Sequence, residues 1–159
     1  RGVLRYYDDL EYMYGFQIVG RYSDPQSAEK RRKTKLDKWL WSERIRRKAG
    51  NMEQEAENIA ARLDVIAAKH GIADICVALG ADVEAGQSFA EMLPKKAEKA
   101  NIICVRDITK DPAALEKLLG SEGCVLLEQM DRSRFTAIDE EVRTCVTNNI
   151  NIFGVIVAE

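Results

Sequence analysis

The sequence is poor in histidine, the residue that most often supplies metal ligands and acid–base groups. His70 is the only one, and it lies between Lys69 and Gly71, where a helix is expected to end. We therefore interpret it as a cation near a helix C-terminus rather than a catalytic or metal-binding residue. The sequence also lacks a run of 18 apolar residues, so no membrane-spanning helix is expected within it. Because the chain begins with Arg1 instead of Met, we expect it to be part of a longer protein.

CxxC spacing is absent as well. Four cysteines are present, and three of them lie in apolar, strand-like segments. This pattern favours reduced thiols in the core of an intracellular domain over a disulfide or a metal site. The four residues are Cys76, Cys104, Cys124 and Cys145.

The chain is long enough and apolar enough, at 159 residues and 46% hydrophobic, to bury one sizeable core. Its charge is unevenly distributed. Residues 1–50 contain 13 Lys and Arg against 7 Asp and Glu, whereas residues 51–159 contain 11 against 19. We expect one compact, acidic domain that carries a basic N-terminal extension.

Short apolar runs alternate with helical patterns from residue 51 onward. Runs rich in Val, Ile and Leu predict strands that are buried on both faces, and the intervening segments predict helices, the first of them capped by Asn51. The later helices are expected from about Gln87 to Lys99, from an N-cap at Asp111 to Gly120, and after an N-cap at Thr136. The expected buried stripe of the last helix is Ile138, Val142, Cys145 and Val146. Another short strand is expected before Gly20. The alternation predicts a three-layer α/β fold with a mostly parallel sheet flanked by helices. The predicted strands from residue 51 onward are residues 74–79, 101–105, 123–128 and 152–157.

Residues 78–89, ALGADVEAGQSF, follow the first of these strands and are similar to a phosphate-binding loop. A Walker A loop, G-x-x-x-x-G-K-[ST], places backbone N–H groups, a lysine and a hydroxyl around phosphates and magnesium. In that register Gly86 and Ser88 are at the expected positions, but Ala81 replaces the first glycine and Gln87 replaces the lysine.

The loss of the lysine weakens the case for nucleotide binding, because Asp82 and Glu84 add two negative charges to the same loop. A carboxylate about 4 Å from a phosphate charge costs about 4 kcal/mol at an effective dielectric constant of about 20. An ordinary strand-to-helix turn is therefore favoured over an ATP-binding loop.

Two parts of the chain resemble known bacterial proteins. Residues 8–20, DDLEYMYGFQIVG, are similar to the D-L-E-x-x-x-G-φ-x-φ-φ-G segment that follows the second transmembrane helix of chain-length determinant proteins, the polysaccharide co-polymerases. Residues 111–115 (DPAAL), 123–129 (GCVLLEQ) and 152–157 (IFGVIV) resemble the N-P-x-E-L, D-x-V-φ-φ-V and φ-φ-G-V-φ-φ segments of bacterial tyrosine kinases. Those kinases are partners of the co-polymerases or are fused to them.

The catalytic elements of the kinase family are altered or missing. We find no Walker B strand and no second acidic strand motif, and Arg106 and Asp107 stand at the strand end where an acidic pair is expected. The E-x-x-R-x-x-R motif of ring assembly is replaced by Glu55, Asn58 and Ala61, and all five tyrosines precede residue 23. The resemblance therefore implies a trimmed pseudokinase domain without a cofactor, a bound metal or catalytic residues.

The resemblance also implies how the chain is organised. Residues 1–24 would be a post-transmembrane segment of chain-length determinant type, residues 25–50 a basic helical linker, and residues 51–159 the degenerate kinase-like domain. The expected location is the cytoplasmic face of the bacterial plasma membrane, below an upstream transmembrane helix. The expected partners are further copies of the chain, other polysaccharide assembly proteins and a tyrosine kinase.

The basic segment carries ten Lys or Arg and two acids over residues 30–48. Such a segment with two tryptophans can lie on anionic lipid, each cation contributing about 1 kcal/mol near the surface. A solvated linker helix whose tryptophans pack on protein is an equal alternative. Nucleic-acid binding is not expected, because the domain is acidic and has no recognition motif. The residues of this surface are Arg31, Arg32, Lys33, Lys35, Trp39, Trp41, Arg46, Arg47 and Lys48.

The sequence thus favours a non-catalytic regulatory or docking domain of a chain-length determinant in capsular or exopolysaccharide biosynthesis. A first alternative is a divergent ATPase or tyrosine kinase of the same pathway, in which Ser88 holds magnesium and another cation replaces the missing lysine. A second alternative is a soluble α/β module that binds membrane or RNA through its basic helix.

Overall fold

Five strands and five helices make up the part of the chain that the structure describes. The computed structural model describes residues 2–23, 35–84 and 86–159, and of residues 35–50 it describes the backbone alone. The helices are α1 (Asp8–Tyr14), α2 (Lys35–His70), α3 (Gln87–Lys96), α4 (Pro112–Leu119) and α5 (Phe135–Thr147). The strands are β1 (Ile18–Tyr22), β2 (Asp74–Leu79), β3 (Asn101–Arg106), β4 (Gly123–Gln129) and β5 (Ile152–Ala158).

The strands form one parallel sheet in the order β1-β5-β4-β2-β3. Residues of α2 and α3 pack on one face of the sheet, and residues of α1, α4 and α5 pack on the other. The predicted three-layer α/β fold is therefore confirmed. Because both faces are covered, β2 and β4 are almost entirely buried, which explains their continuous apolar composition.

The direction of winding reverses between β2 and β4. From β2 the chain passes through α3 to the edge strand β3, and then crosses back over the other face through α4 to β4. In open α/β sheets, ligands bind outside the carboxyl ends of the strands at such a switch point. The loop after β2 lies at this position.

The segment before residue 24 completes the sheet. Strand β1 pairs in parallel with the C-terminal strand β5, with Ile18 opposite Val155 and Gly20 opposite Ile156. Arg62 of α2 fastens β1 from the helix layer, since its Nη1 donates to the Val19 carbonyl oxygen at 2.6 Å. The N-terminal segment is thus an integral part of the domain.

Helix α2 is longer than the sequence pattern predicts. Asn51 lies within it and is not its N-cap, and the boundary that we expect between residues 50 and 51 falls inside the helix. Residues 35–50 are mostly Lys, Arg, Leu, Glu and Trp, which tolerate a helix well, so the single unfavourable Gly50 does not end it. Among the described helices, none is both long and apolar enough to cross a membrane.

Helix α3 ends earlier than predicted, at Lys96 instead of near residue 99. Pro94 lies in its last turn and offers no N–H for continuation. The carboxylate of Asp64 on α2 then accepts the backbone N–H groups of residues 98, 99 and 100 at 2.7–3.0 Å. Three amides held by one carboxylate fix the connection to β3 in a non-helical form.

Helix α5 begins at a different residue from the one that the sequence predicts. Its N-cap is Arg134 rather than Thr136, which lies in the first turn. On its apolar stripe Ile138 and Cys145 are buried as predicted, whereas Val146 is 66% exposed. The stripe includes an acid that the pattern does not predict, Glu141, which is buried. At the start of α4 the prediction is confirmed, because Asp111 caps the helix by accepting the Ala113 N–H at 3.0 Å.

All four cysteines are free, and three of them are buried in the core. Cys76 and Cys124 are register neighbours on β2 and β4, and Cys145 on α5 is close enough to raise the pKa of Cys124. Burial raises the pKa of both Cys76 and Cys104 to about 12. The expectation of core thiols is met at Cys76, Cys124 and Cys145, while Cys104 is half-buried.

Candidate phosphate-loop site

The loop of residues 80–86 joins β2 to α3 at the carboxyl edge of the sheet, directly beside the switch point. The strand, loop and helix therefore succeed one another as a phosphate loop requires. The loop contains one tight turn, in which the Val83 N–H donates to the Gly80 carbonyl oxygen at 3.1 Å. Helix α3 then begins with the Ala90 N–H bonded to the Gly86 carbonyl oxygen at 2.8 Å.

The four residues of the degenerate motif lie at the loop and the first turn of α3. Ala81 is exposed, and Gly86 is the buried N-cap residue with a φ of 120°. Gln87, in the place of the lysine, is exposed, and its Nε2 donates to Glu91 Oε1 on the same helix at 3.1 Å. Ser88 is exposed as well. The side chain at the lysine position is thus directed along its own helix.

An aromatic side chain from β1 packs against the end of the loop. A Cβ atom at Gly86 would lie 2.6 Å from the Tyr22 hydroxyl oxygen, so the tyrosine and the loop backbone are in close contact. The Tyr22 ring stacks on Phe89 in α3, with centroids 3.7 Å apart. Gly86 is needed here for two reasons, its positive φ and the lack of space for a side chain.

A carboxyl group packs against the beginning of the loop. Glu128, at the end of β4, is only 1% exposed. A Cβ atom at Gly80 would lie 2.6 Å from Glu128 Oε2 and 3.0 Å from Oε1. Ser133 holds this carboxyl group in place, because its Oγ donates to Oε2 at 2.5 Å and accepts the Gln129 N–H at 2.9 Å.

Glu128 has a second buried acid beside it, Glu141 of α5, which is 2% exposed. The two carboxyl groups are close enough for each to affect the pKa of the other. Burial raises the pKa of Glu128, against the opposing effect of its hydrogen bonds. Burial and the neighbouring Glu128 charge raise the pKa of Glu141 well above its ordinary value.

The two acidic residues of the loop are paired with arginines of the β4–α5 connection. Arg134 binds Asp82 through Nε to Oδ2 and Nη2 to Oδ1, both at 3.0 Å, and its backbone N–H donates to Oδ2 at 3.1 Å. Arg132 Nη1 lies 3.1 Å from Glu84 Oε1. The Arg134 hydrogen bond lowers the pKa of Asp82. These pairs tie the loop to the segment that follows β4.

Two further contacts fasten the loop. Arg106, at the end of β3, donates from Nη1 to the Val83 carbonyl oxygen. The Glu84 N–H donates to Gln129 Oε1 at 3.0 Å. Arg106 is therefore a loop-positioning residue at the place where the kinase resemblance led us to expect an acid. Its neighbour Asp107 adopts a φ of 57° and accepts a hydrogen bond from Thr109 Oγ1 at 2.8 Å.

The chemistry of this arrangement is unfavourable to a bound phosphate. The space below Gly80 holds an acidic side chain, and the arginines nearest to the loop already bind carboxylates or a carbonyl oxygen. No group of three or more His, Cys, Asp or Glu among the described residues is arranged to hold a metal ion. The loop has the connectivity of a phosphate site, but the Glu128 carboxyl group fills the space next to Gly80.

The most informative residues of the site are not predicted from the sequence. Glu128 follows the apolar run of β4 and is its last residue but one. Glu141 lies on the apolar stripe of α5, three residues after Ile138 and four before Cys145. An acid at a position that the periodicity assigns to the core is the signal that could have found both. Tyr22 carries no comparable signal, because its contact with the loop is created by the pairing of β1 with β5.

Part of the predicted basic surface falls in the segment without described side chains. Arg31, Arg32 and Lys33 lie outside the described residues. The remaining members lie on the backbone of α2, and the structure does not describe their side chains; these are Lys35, Trp39, Trp41, Arg46, Arg47 and Lys48. The basic surface therefore stays a prediction.

Comparison with known proteins adds no assignment. No protein-family model matches the chain, and a search of the curated proteins found no match.

Proposed function

We propose that the chain is a non-catalytic regulatory and docking domain of a chain-length determinant in capsular or exopolysaccharide biosynthesis. The observation that carries the non-catalytic part is the buried carboxyl group of Glu128 against Gly80, at the place where a phosphate loop encloses its ligand. A second negative charge at this position is costly, because burial weakens the screening between charges. The domain acts by docking rather than by transferring phosphate.

The position of β1 supports the assignment to this class. The segment that resembles the chain-length determinants, residues 8–20, ends in β1, and the segment that resembles the closing kinase strand is β5. These two strands are hydrogen-bonded neighbours. Two independent resemblances thus meet in adjacent strands of one sheet, as expected for a polypeptide in which a co-polymerase tail and a kinase-like domain have become one unit.

The same arrangement suggests how the domain regulates. Because β1 is part of the sheet, a movement of the region that precedes it acts directly on the domain without passing through a flexible tether. Under this proposal the domain lies at the cytoplasmic face of the plasma membrane, self-associates, and docks other assembly proteins or a tyrosine kinase. Its basic segment is then available to bind anionic lipid at the membrane surface.

The nucleotide part of the proposal is tested by calorimetric titration with ATP and with ADP in the presence of magnesium. The parent chain is expected to show no saturable heat. Gln87→Lys restores the missing cation but leaves Glu128 in place, so it too is expected to bind weakly or not at all. Saturable binding by the parent, together with tyrosine phosphorylation, would overturn the proposal in favour of a divergent kinase.

The pathway part is tested in the source organism by the length distribution of the polysaccharide. Gly154→Val separates β1 from β5, because a Cβ at Gly154 would lie 2.6 Å from the Gln17 carbonyl oxygen. Gly2→Val is the matched control, since no atom lies within 4 Å of a Cβ at Gly2. We expect an altered length distribution with Gly154→Val only, at equal protein abundance. An unchanged distribution rejects the role in chain-length control.

A further inference from the structure

The connection between β4 and α5, residues 131–135, is bound along one side by the beginning of the chain. Residues 2–4, here called the N-terminal strap, form an antiparallel β-bridge with it, with Val3 opposite Arg134. Three backbone hydrogen bonds join the two segments. They run from the Leu4 N–H to the Ser133 carbonyl oxygen at 2.8 Å, from the Asp131 N–H to the Leu4 carbonyl oxygen at 2.7 Å, and from the Phe135 N–H to the Gly2 carbonyl oxygen at 3.2 Å.

Leu4 anchors the N-terminal strap in the domain. Its side chain is fully buried, in the core between the sheet and the helices α1, α4 and α5. Its backbone also makes two of the three hydrogen bonds to the connection. Exposing a buried leucine to water is unfavourable, so the side chain keeps these backbone groups in place.

The other side of the connection holds the loop after β2. The carbonyl oxygen of Ser133 faces the N-terminal strap, and its hydroxyl group donates to Glu128 Oε2 at 2.5 Å. Arg134, opposite Val3 of the strap, binds the Asp82 carboxylate through Nε and Nη2 at 3.0 Å and through its backbone N–H at 3.1 Å. A single short segment is therefore bonded to the strap and to the loop.

The bonds between Arg134 and Asp82 depend on where the Arg134 backbone lies. The Arg134 side chain is 61% exposed, so little packing around it fixes the guanidinium group. One of the three donors is the backbone N–H itself. A two-pronged contact between an arginine and a carboxylate is also strongly directional. A displacement of the connection therefore weakens all three bonds together.

We propose that the N-terminal strap holds the connection in the position in which Arg134 binds Asp82, and that withdrawal of the strap releases Asp82. The strap precedes β1, so a movement of the region before it reaches the strap first. The strap thus gives the regulation in our proposed function a route to the loop, and it rests on that function for its use. The contact itself is measurable without the polysaccharide pathway, so the two can fail separately.

Leu4→Pro in the full chain tests the proposal, because it removes both the N–H donor and the buried side chain. Hydrogen exchange of the Arg134 amide is expected to lose protection by about tenfold or more relative to the parent. In an NMR titration the pKa of Asp82 is expected to rise toward its value in Arg134→Gln. The chain with both substitutions should show no higher Asp82 pKa than Arg134→Gln alone, since the same bonds are already lost.

Tyr14→Phe is the matched control. It removes the 2.5 Å hydrogen bond from the Tyr14 hydroxyl to Asp139 Oδ1, a contact of the N-terminal segment with α5 that does not involve the strap. It is expected to leave the Asp82 pKa and the Arg134 protection as in the parent. An equal effect of Tyr14→Phe would overturn the proposal, because general loosening of the domain would then explain both.

Leu4→Ala is a milder variant for the case that Leu4→Pro does not fold. It keeps the N–H donor and loses most of the buried side chain, so a smaller rise of the Asp82 pKa in the same direction is expected. The proposal is rejected by a folded Leu4 variant whose Asp82 pKa equals that of the parent. It is also rejected if the effects of Leu4→Pro and Arg134→Gln on this pKa add.

Discussion

Tyr22 and Phe89 stack face to face, with ring centroids 3.7 Å apart and ring planes 2° apart. Both side chains are fully buried. Tyr22 belongs to the edge strand β1, and Phe89 belongs to the first turn of the helix after the loop. The stack therefore joins the N-terminal segment to the candidate site, and the two cannot move independently.

Removal of the stack is expected to destabilise the domain strongly. Tyr22→Ala leaves a cavity beside Phe89 and should lower the free energy of unfolding by about 3–5 kcal/mol. Tyr22→Phe keeps the ring and loses the hydroxyl contact with Gly86. It should therefore lower the free energy of unfolding by only about 1 kcal/mol. Urea unfolding measures both. Equal losses for the two variants would show that the hydroxyl, and not the stack, carries the stability.

Gly80→Ala tests the contact between the loop and Glu128. The new Cβ would lie 2.6 Å from Glu128 Oε2, and a buried carboxyl group has little room to move aside. We expect a loss of about 1–3 kcal/mol in the free energy of unfolding. Gly120→Ala is the control, because the nearest atoms to its Cβ lie at 3.6 Å and its φ is −79°. A loss no greater at Gly80 than at Gly120 would contradict the close packing.

The buried acids predict a stability that falls as the pH rises. The folded-state pKa values of Glu128 and Glu141 lie above the unfolded value of 4.5, so between these values the folded chain holds a proton that the unfolded chain has lost. The stabilisation is complete below the unfolded pKa and is lost as the pH approaches the folded one. Urea unfolding at several pH values measures this loss. Relative to a chain that carries both Glu128→Gln and Glu141→Gln, the free energy of unfolding of the parent should fall by about 1.4 kcal/mol per pH unit for each proton held. Parallel curves for the two chains would show that neither buried acid holds a proton in the folded state.

The Asp82–Arg134 pair makes a prediction about titration. Because the Arg134 hydrogen bond lowers the pKa of Asp82, Arg134→Gln is expected to raise it toward its ordinary value. NMR titration of the Asp82 carboxyl carbon measures the change. Arg143→Gln, an exposed substitution on the same helix, should leave the Asp82 pKa unaltered. An Asp82 pKa that does not respond to Arg134 would mean that other groups hold the loop.

The thiols are expected to react slowly in the folded state. Burial raises the pKa of Cys76 and Cys104 to about 12, so almost no thiolate exists at mildly alkaline pH. A chromogenic disulfide reagent should therefore detect few thiols in the native protein. In urea it should detect all four, since each is free. Rapid reaction without denaturant would show that the core opens readily.

The layers of the fold are predictable from the sequence, and most of the site is not. Runs such as residues 123–127, GCVLL, suit the interior of a parallel sheet and are too short for a typical buried helix, so they locate β4. The start of α2 is not predictable, because Asn51 suits a helix cap and is also tolerated inside a helix. The end of α3 depends on Asp64, which is distant in sequence from the amides that it binds.

The loop after β2 also has features that the sequence predicts and features that it does not. The glycine at position 86 and the missing lysine are visible in the sequence, and they direct attention to the correct segment. What occupies the loop depends on strand order, which places β4 beside β2 and so brings Glu128 against Gly80. A local pattern contains no information about that neighbour. The buried acids are recognisable in the sequence only as breaks in two apolar patterns.

The pairing of the first strand with the last has a consequence for biosynthesis. Contacts such as that between Tyr14 and Asp139 join residues 125 positions apart, so they cannot form until nearly the whole segment has left the ribosome. Until then β1 has no partner strand, and Tyr22 has no complete core to enter. Domains with such distant contacts fold slowly, and their unpaired strands are prone to association. Strand β1 therefore stays without its partner strand until β5 has been synthesised.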